Sequence, residues 1–124
     1  MADHNDLGKW GENLVVDKLI TEGYTIVERN WLCGHAEIDI IATRGDDIIF
    51  VEVKTRSTDD FGNPIDAMTP KKIGLLARAA NSYLRQMRLD LNPRFDVVGI
   101  IGDGHEVTSF EYIPNAFLPP LRTY

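Results

Sequence analysis

Asp39, Glu52 and Lys54 are the side chains from which chemistry can be argued first. Two carboxylates stand with twelve residues between them, and a lysine follows the second at the next-but-one position. Carboxylate pairs bind hard divalent cations, and an ammonium beside them stabilises negative charge on a substrate. The bland alternative is a half-exposed hairpin holding an ordinary ion pair, because acid–x–lysine is common in strands.

The elements that must position these residues are two strands. Residues 48–56 read Ile-Ile-Phe-Val-Glu-Val-Lys-Thr-Arg, β-branched and aromatic without Pro or Gly, which favours a buried strand. Side chains alternate along a strand, so Phe50, Glu52, Lys54 and Arg56 share one face, and Ile49, Val51, Val53 and Thr55 the other. Charge inside such a run is costly to bury alone, so it points to a cleft at the strand end. Residues 36–42 form the preceding strand, with Glu37, Asp39 and Ile41 on one face and Ile38 and Ile40 on the other. The polar stretch 43–47, with Gly45 and two aspartates, reads as the hairpin turn. Pairing across it lets Asp39 and Glu52 converge.

The remaining pattern supplies two helices and three strands. Residues 5–22 place Leu7, Trp10, Gly11, Leu14, Val15, Lys18 and Leu19 at helical spacing, with Gly23 as the cap. Gly8 and Gly11 lower helix propensity; close packing against a sheet is one explanation and a frayed first turn another. Glu12 sits near this helix start, where the helix dipole favours a carboxylate. It is either a surface residue or a third acid tipped towards Asp39 and Glu52. Residues 24–32 read as a strand, with Trp31 assigned to the core. Loop composition covers 57–67, and Thr69-Pro70 signals a helix start over 70–89, with Ile73, Leu76, Ala77, Ala80, Tyr83, Leu84 and Met87 as its apolar stripe. Strands follow at 94–102 and 105–113, where Asp96 has no obvious partner. The order is α-β-β-β-α-β-β: an α/β fold with a mixed central sheet flanked by helices.

Composition bounds the function. The 124 residues suit a single domain, with 1–6 and 114–124 as terminal extensions. Formal net charge is −6, against indiscriminate binding of polyanions. Basic residues nevertheless cluster: residues 67–94 carry Lys71, Lys72, Arg78, Arg85, Arg88 and Arg94 against Asp90 alone. Lys72 falls near a helix N-terminus, where backbone N–H groups favour an anion. The basic cluster is a solvated face or a phosphate-contacting edge. The single cysteine, Cys33, forms no internal disulfide, and Cys33-x-His35 is a weak metal signal. No signal-peptide pattern or membrane-length apolar run is present, so the expected location is the cytoplasm, with no membrane partner.

Taken together the motifs resemble the bacterial YraN-like family, placed in the restriction-endonuclease-like, or PD-(D/E)xK, nuclease superfamily and similar to archaeal Holliday junction resolvases. The resemblance spans residues 7–113. It is carried by Leu7-Gly8-x-x-Gly11-Glu12, Gly23-Tyr24-x-Ile26, Arg29-Asn30-Trp31, Glu37-Ile38-Asp39-Ile40-Ile41-Ala42, Phe50-Val51-Glu52-Val53-Lys54-Thr55-Arg56, Phe61-Gly62-x-Pro64, Pro70-Lys71-Lys72 and Phe95-Asp96-Val97-Val98. The chain departs from the family at Ala36, where glycine is usual, and in the weakly basic stretch around Gly34 and His35.

The resemblance implies a restriction-endonuclease-like fold with Asp39 and Glu52 as metal ligands, Glu12 assisting as a third, and Lys54 orienting water or stabilising charge on the phosphorane. It makes Glu12, Asp39, Glu52 and Lys54 the catalytic candidates; Arg56 also matches the motif and is assigned to a phosphate contact, and Lys71 and Lys72 at the basic helix start are the further candidate nucleic-acid contacts. The expected activity is Mg²⁺- or Mn²⁺-dependent cleavage of DNA phosphodiester bonds, including branched DNA. By analogy with small nucleases, a homodimer would widen the span on DNA. The other reading is a non-catalytic nucleic-acid-binding or interaction protein on the same fold.

Overall fold

A computed structural model of the protein describes residues 4–58 and 64–117. Residues 1–3, residues 59–63 of the loop expected over 57–67, with its Phe61-Gly62 pair, and the final residues 118–124 lie outside that range. The elements are α1 (His4–Thr21), β1 (Thr25–Cys33), β2 (Ala36–Arg44), β3 (Asp47–Arg56), a short 3-10 turn at Pro64–Ala67, α2 (Pro70–Gln86), β4 (Asn92–Gly102) and β5 (Val107–Ile113). The five strands form one sheet in the order β1-β2-β3-β4-β5. Only β3 and β4 run parallel, as the α2 crossover between them requires. This mixed α/β architecture, with the predicted element order, is consistent with a restriction-endonuclease-like fold.

The two helices cover opposite faces of the sheet. Val15 and Leu19 of α1 pack on Ile40, Ile49, Val51, Val98 and Ile100. Leu76, Ala79, Ala80 and Tyr83 of α2 pack on Ile38, Ile41, Ile48, Phe50 and Phe95. The alternation read for residues 48–56 is therefore borne out, with Ile49 and Val51 towards α1 and Ile48 and Phe50 towards α2. Trp31 joins the core as expected, meeting Tyr83 edge-on at 5.1 Å. Met87 does not; α2 ends at Gln86, and Met87 is 45% exposed. The described part of the tail packs back on the α2 face, where Phe117 stacks on Phe95 at 5.1 Å.

Simple alternation fails in β1 and β2, and the failure shapes the site. Ile38 lies on the α2 face but Ile40 on the α1 face, contrary to their expected shared face. Opposite them, Trp31 pairs with Ile38 and Arg29 with Ile40. Trp31 packs against Tyr83 of α2, whereas Arg29 reaches Glu12 and Asn13 of α1. Both strands thus change face between these pairs, at Asn30 and Asp39. Asn30 absorbs the twist with φ of 53°, a left-handed conformation that asparagine tolerates better than most residues. A further register shift separates Ile26 from Glu28. Such irregularities re-aim side chains at strand ends.

Gly11 answers the question its sequence position raised. It is buried where α1 crosses β3, and a methyl group there would overlap the Thr55 hydroxyl and come within 3.0 Å of Thr55 Cβ. Gly8 meets no comparable crowding, with nothing within 4 Å of such a group. Gly11→Ala is expected to lower unfolding free energy by about 1–3 kcal/mol, the usual cost of overpacking, measured by urea denaturation. The double variant Gly11→Ala/Thr55→Ala recovers part of that loss by removing Oγ1 and Cγ2. Equal stability of parent and Gly11→Ala would contradict the packing account.

A second buried device ties β4, β5 and the tail together. Arg94 Nε and Nη2 donate to the two oxygens of Asp96 at 2.9 Å each, the Tyr112 hydroxyl donates to Oδ2, and the Asn115 N–H donates to Oδ1 at 2.9 Å. Arg94 also donates to the Tyr24 hydroxyl at 3.0 Å. Asp96, without an obvious partner in the sequence reading, accepts four hydrogen bonds from three residues, two of them brought to it by folding. Among the described residues, no helix is long and apolar enough to cross a membrane.

Candidate active-site cleft

The cleft opens where β2 and β3 part. Their ladder runs from Arg44–Asp47 to Ile40–Val51 and stops there. The turn is shorter than expected, with Gly45 at φ of 59°. Beyond Ile40 the Asp39 side chain takes over the missing strand contact: its Oδ2 accepts the Val53 N–H at 2.8 Å. One carboxylate oxygen is thereby fixed against the backbone of the residue next to Glu52. Glu52 comes from the α2 face of β3 and is only 8% exposed.

The wall opposite is the first turn of α2. Thr69 caps this helix, accepting the Lys72 N–H at 3.2 Å, and Pro70 occupies the first turn, as the Thr69-Pro70 pair predicts. From that turn Lys72 reaches back across the cleft, and its Nζ lies 3.2 Å from Glu52 Oε2. The contact is an ion pair without hydrogen-bond geometry, so the buried Oε2 has no hydrogen-bond donor. The resulting cleft has a volume of about 480 Å³, and its lining includes Asp39, Glu52, Lys54, Lys71 and Lys72 together with His35, Glu37 and Thr69.

The charges are strongly interdependent. Burial, then hydrogen bonding and repulsion from Glu52, push the Asp39 carboxyl up to about 9. At that value the Asp39 carboxyl keeps its proton at neutral pH. Burial chiefly, and then the neighbouring Lys72, lower the pKa of Lys54. For Lys72 burial acts downward and is the largest influence, but Lys54 and Glu52 together outweigh it and raise the pKa. The two lysines are thus shifted in opposite directions, Lys72 towards holding its proton more tightly and Lys54 towards releasing it more readily.

Of the residues singled out in the sequence, Asp39, Glu52, Lys54, Lys71 and Lys72 are brought together. Glu12 is not part of the cleft lining. It stands on the α1 side, where Asn30 Nδ2 donates to its Oε1 at 3.0 Å and Arg29 Nη2 approaches at 3.3 Å. Its charge still reaches Asp39 and contributes a small upward push. Arg56, half-buried at the end of β3, also lies outside the lining. The sequence reading missed the Lys72–Glu52 pairing; the only available signal was a lysine in the first turn of a basic helix.

The donor set decides which metal would suit. Among the described residues there is no cluster of three or more His, Cys, Asp or Glu side chains arranged as a metal cage. Two carboxylates fit Mg²⁺ or Mn²⁺, which retain water and take further oxygens from a phosphate, rather than zinc or an all-protein calcium cage. Glu52 Oε2, buried without a hydrogen bond and with only the Lys72 ammonium beside it, and the Asp39 carboxyl, pushed upward by burial and by Glu52, are oxygens that a divalent cation would compensate.

Comparison with known proteins places the chain among close relatives. The pattern of the uncharacterised protein family UPF0102 matches residues 11–100. A UPF0102 protein of Phocaeicola vulgatus is 45% identical over 121 residues, covering 98% of this chain and 99% of the relative. One from Flavobacterium psychrophilum is 48% identical over 117 residues, covering 94% and 98%. Another, from Parabacteroides distasonis, is 42% identical over 124 residues, covering 98% and 100%. Similarity thus extends over essentially the whole length of each protein, including the cleft.

Proposed function

The chain belongs to the uncharacterised protein family UPF0102, as its YraN-like motifs indicate, and on the chemistry of its cleft we propose that it is a metal-dependent phosphodiesterase acting on DNA, with branched DNA as a candidate substrate. The observation that carries this reading is the convergence of Asp39 and Glu52 at a strand parting, faced by lysines from a separate element.

Asp39 and Glu52 would hold Mg²⁺ or Mn²⁺, with Glu12 as an outlying acid whose contribution is electrostatic. Bound there, such an ion lowers the pKa of water and neutralises a nonbridging phosphate oxygen. The Val53 N–H keeps Asp39 aimed into the cleft, a positioning role filled by backbone. Lys54 stabilises charge building on the phosphorane from the protein side, or orients the attacking water. Lys71 and Lys72 at the α2 start, and Arg56 at the end of β3, position the phosphate backbone without reading sequence. The net acidity of the chain favours recognition of DNA structure over tight nonspecific binding.

Calorimetric titration of Mn²⁺ into metal-free protein, beside Asp39→Asn, tests the metal centre. Saturable binding by the parent and loss in the variant are expected; equal binding by both would remove Asp39 from it. A cleavage screen on linear, flapped and four-way DNA then separates enzyme from binding protein. DNA binding without metal-dependent cleavage on any of these substrates would favour the non-catalytic reading.

Lys54→Ala provides the sharper kinetic test. It is expected to leave Mn²⁺ affinity close to the parent value and lower single-turnover cleavage by about 10²–10³-fold, the usual effect of deleting one electrostatic stabiliser. An unchanged single-turnover rate would end the role assigned to Lys54.

A further inference from the structure

Lys72 has a second consequence for the cleft, which follows from the carboxylate it touches. Its ammonium pairs with Glu52 Oε2 at 3.2 Å, on the oxygen that carries no hydrogen bond. It comes from α2 rather than from either carboxylate-bearing strand. Its main chain is held by the Thr69 cap, while its side chain remains 32% exposed at the cleft mouth. The stem is consequently anchored at one end and able to swing at the other.

We propose that Lys72 is a built-in counter-ion that competes with the divalent cation for Glu52 and is drawn off by the DNA phosphate, so that cation and nucleic acid bind cooperatively. The proposal rests on the metal-site reading above. Three properties of the contact support it. A Mg²⁺ or Mn²⁺ ion would need the Glu52 oxygens at about 2.0–2.2 Å, inside the space an ammonium at 3.2 Å commands. Two cations on one buried carboxylate repel each other strongly in low-dielectric surroundings. A phosphodiester in the cleft offers the ammonium another anion, within reach of the same flexible stem.

Cooperation between the ligands is then reciprocal: whatever factor DNA adds to cation affinity, the cation adds to DNA affinity. In the resting protein the lysine keeps the buried carboxylate compensated. Loading of the metal is thereby tied to arrival of substrate, which restrains an empty cleft from assembling a nucleophile.

The test is calorimetric titration of Mn²⁺ into metal-free parent, Lys72→Met, Lys72→Gln and Lys72→Arg, each with and without a DNA duplex carrying phosphorothioate linkages. Folding of every variant is checked by circular dichroism, and the exposed position of the stem makes two neutral replacements interchangeable. Without DNA, Lys72→Met and Lys72→Gln are expected to bind Mn²⁺ about tenfold more tightly than the parent, by removal of the competing charge. Lys72→Arg is expected to stay near the parent. The factor by which the duplex tightens Mn²⁺ binding should be larger in the parent than in either neutral variant. Equal or weaker Mn²⁺ binding by both neutral variants, with the parent still binding, would overturn the counter-ion role and leave the metal site standing. Equal tightening by the duplex in parent and neutral variants would overturn the release by phosphate. Absence of Mn²⁺ binding from all four proteins, with and without DNA, would overturn the metal reading and the counter-ion role together.

Discussion

Asp39→Asn is expected to melt higher than the parent at neutral pH in the absence of metal. The folded protein holds the Asp39 carboxyl at about 9, against an ordinary value of 3.8. Below pH 4 both folded and unfolded chains are protonated at this group, and it adds no pH dependence. Between about pH 4 and 9 the folded chain keeps a proton that the unfolded chain has released. Folding stability therefore falls as pH rises through that window and levels off above it. Asparagine reproduces the shape of the protonated acid, including an oxygen to accept the Val53 N–H, and does not titrate. Discounted for the openness of the cleft, the gain at pH 8 is on the order of 2 kcal/mol, or about 5–10 °C in melting temperature.

Thermal melts in a metal chelator at pH 5 and pH 8 check this directly. The parent should lose stability between the two relative to Asp39→Asn, and their difference should shrink towards pH 5. Superimposable pH profiles would show that the carboxylate pair holds no extra proton. Adding Mn²⁺ should reverse the ranking at pH 8, because a ligand that binds only the folded parent stabilises it by mass action. A residue whose removal stabilises the empty protein is placed for binding rather than for folding.

Asp96→Ala is expected to produce the largest loss of stability among single substitutions in the chain. Its side chain is fully buried and takes hydrogen bonds from Arg94, Tyr112 and the Asn115 backbone. Truncation leaves the Arg94 guanidinium without its anion in a part-buried position and orphans the Tyr112 hydroxyl and a backbone N–H. Breaking a buried pair on one side costs about 3–5 kcal/mol, a large share of the 5–15 kcal/mol that holds a domain of this size together. Urea denaturation at pH 7 gives the number. Tyr112→Phe, which deletes one donor to a charged acceptor and keeps the ring, should cost about 1.5–3 kcal/mol. If Asp96→Ala lost less than Tyr112→Phe, the carboxylate would not be the hub of the network. The same substitution should leave the cleft chemistry alone when folded protein is assayed, since Asp96 lies on the α1 side of the sheet.

Local signals in the chain specify the elements and bring out much of the candidate site. Helix caps at Thr69-Pro70 and Gly23, β-branched runs, and the acid–x–lysine run of β3 are local signals, and local backbone preferences act on them within a few residues. On β3 the two-residue period also matched the observed faces, because that strand pairs with β4 along its whole length without a register shift between Ile48 and Arg56, even though its pairing with β2 ends at Val51. Packing settles the rest, where that period breaks or where distant elements meet. The change of face at Asn30 and Asp39 depends on pairing between two strands and on what α1 and α2 place against them. It turns Asp39 towards Val53 and leaves Glu12 with Arg29 and Asn30 on the other side. Lys72 reaches Glu52 because the α2 crossover sets its first turn beside the end of β3, twenty residues further along the chain. Asp96 likewise acquired partners from β5 and from the turn beyond it. Periodicity describes a strand or helix in isolation; the register slip and the long side chain crossing a cleft are outcomes of packing among elements, to which no single stretch of sequence is sensitive.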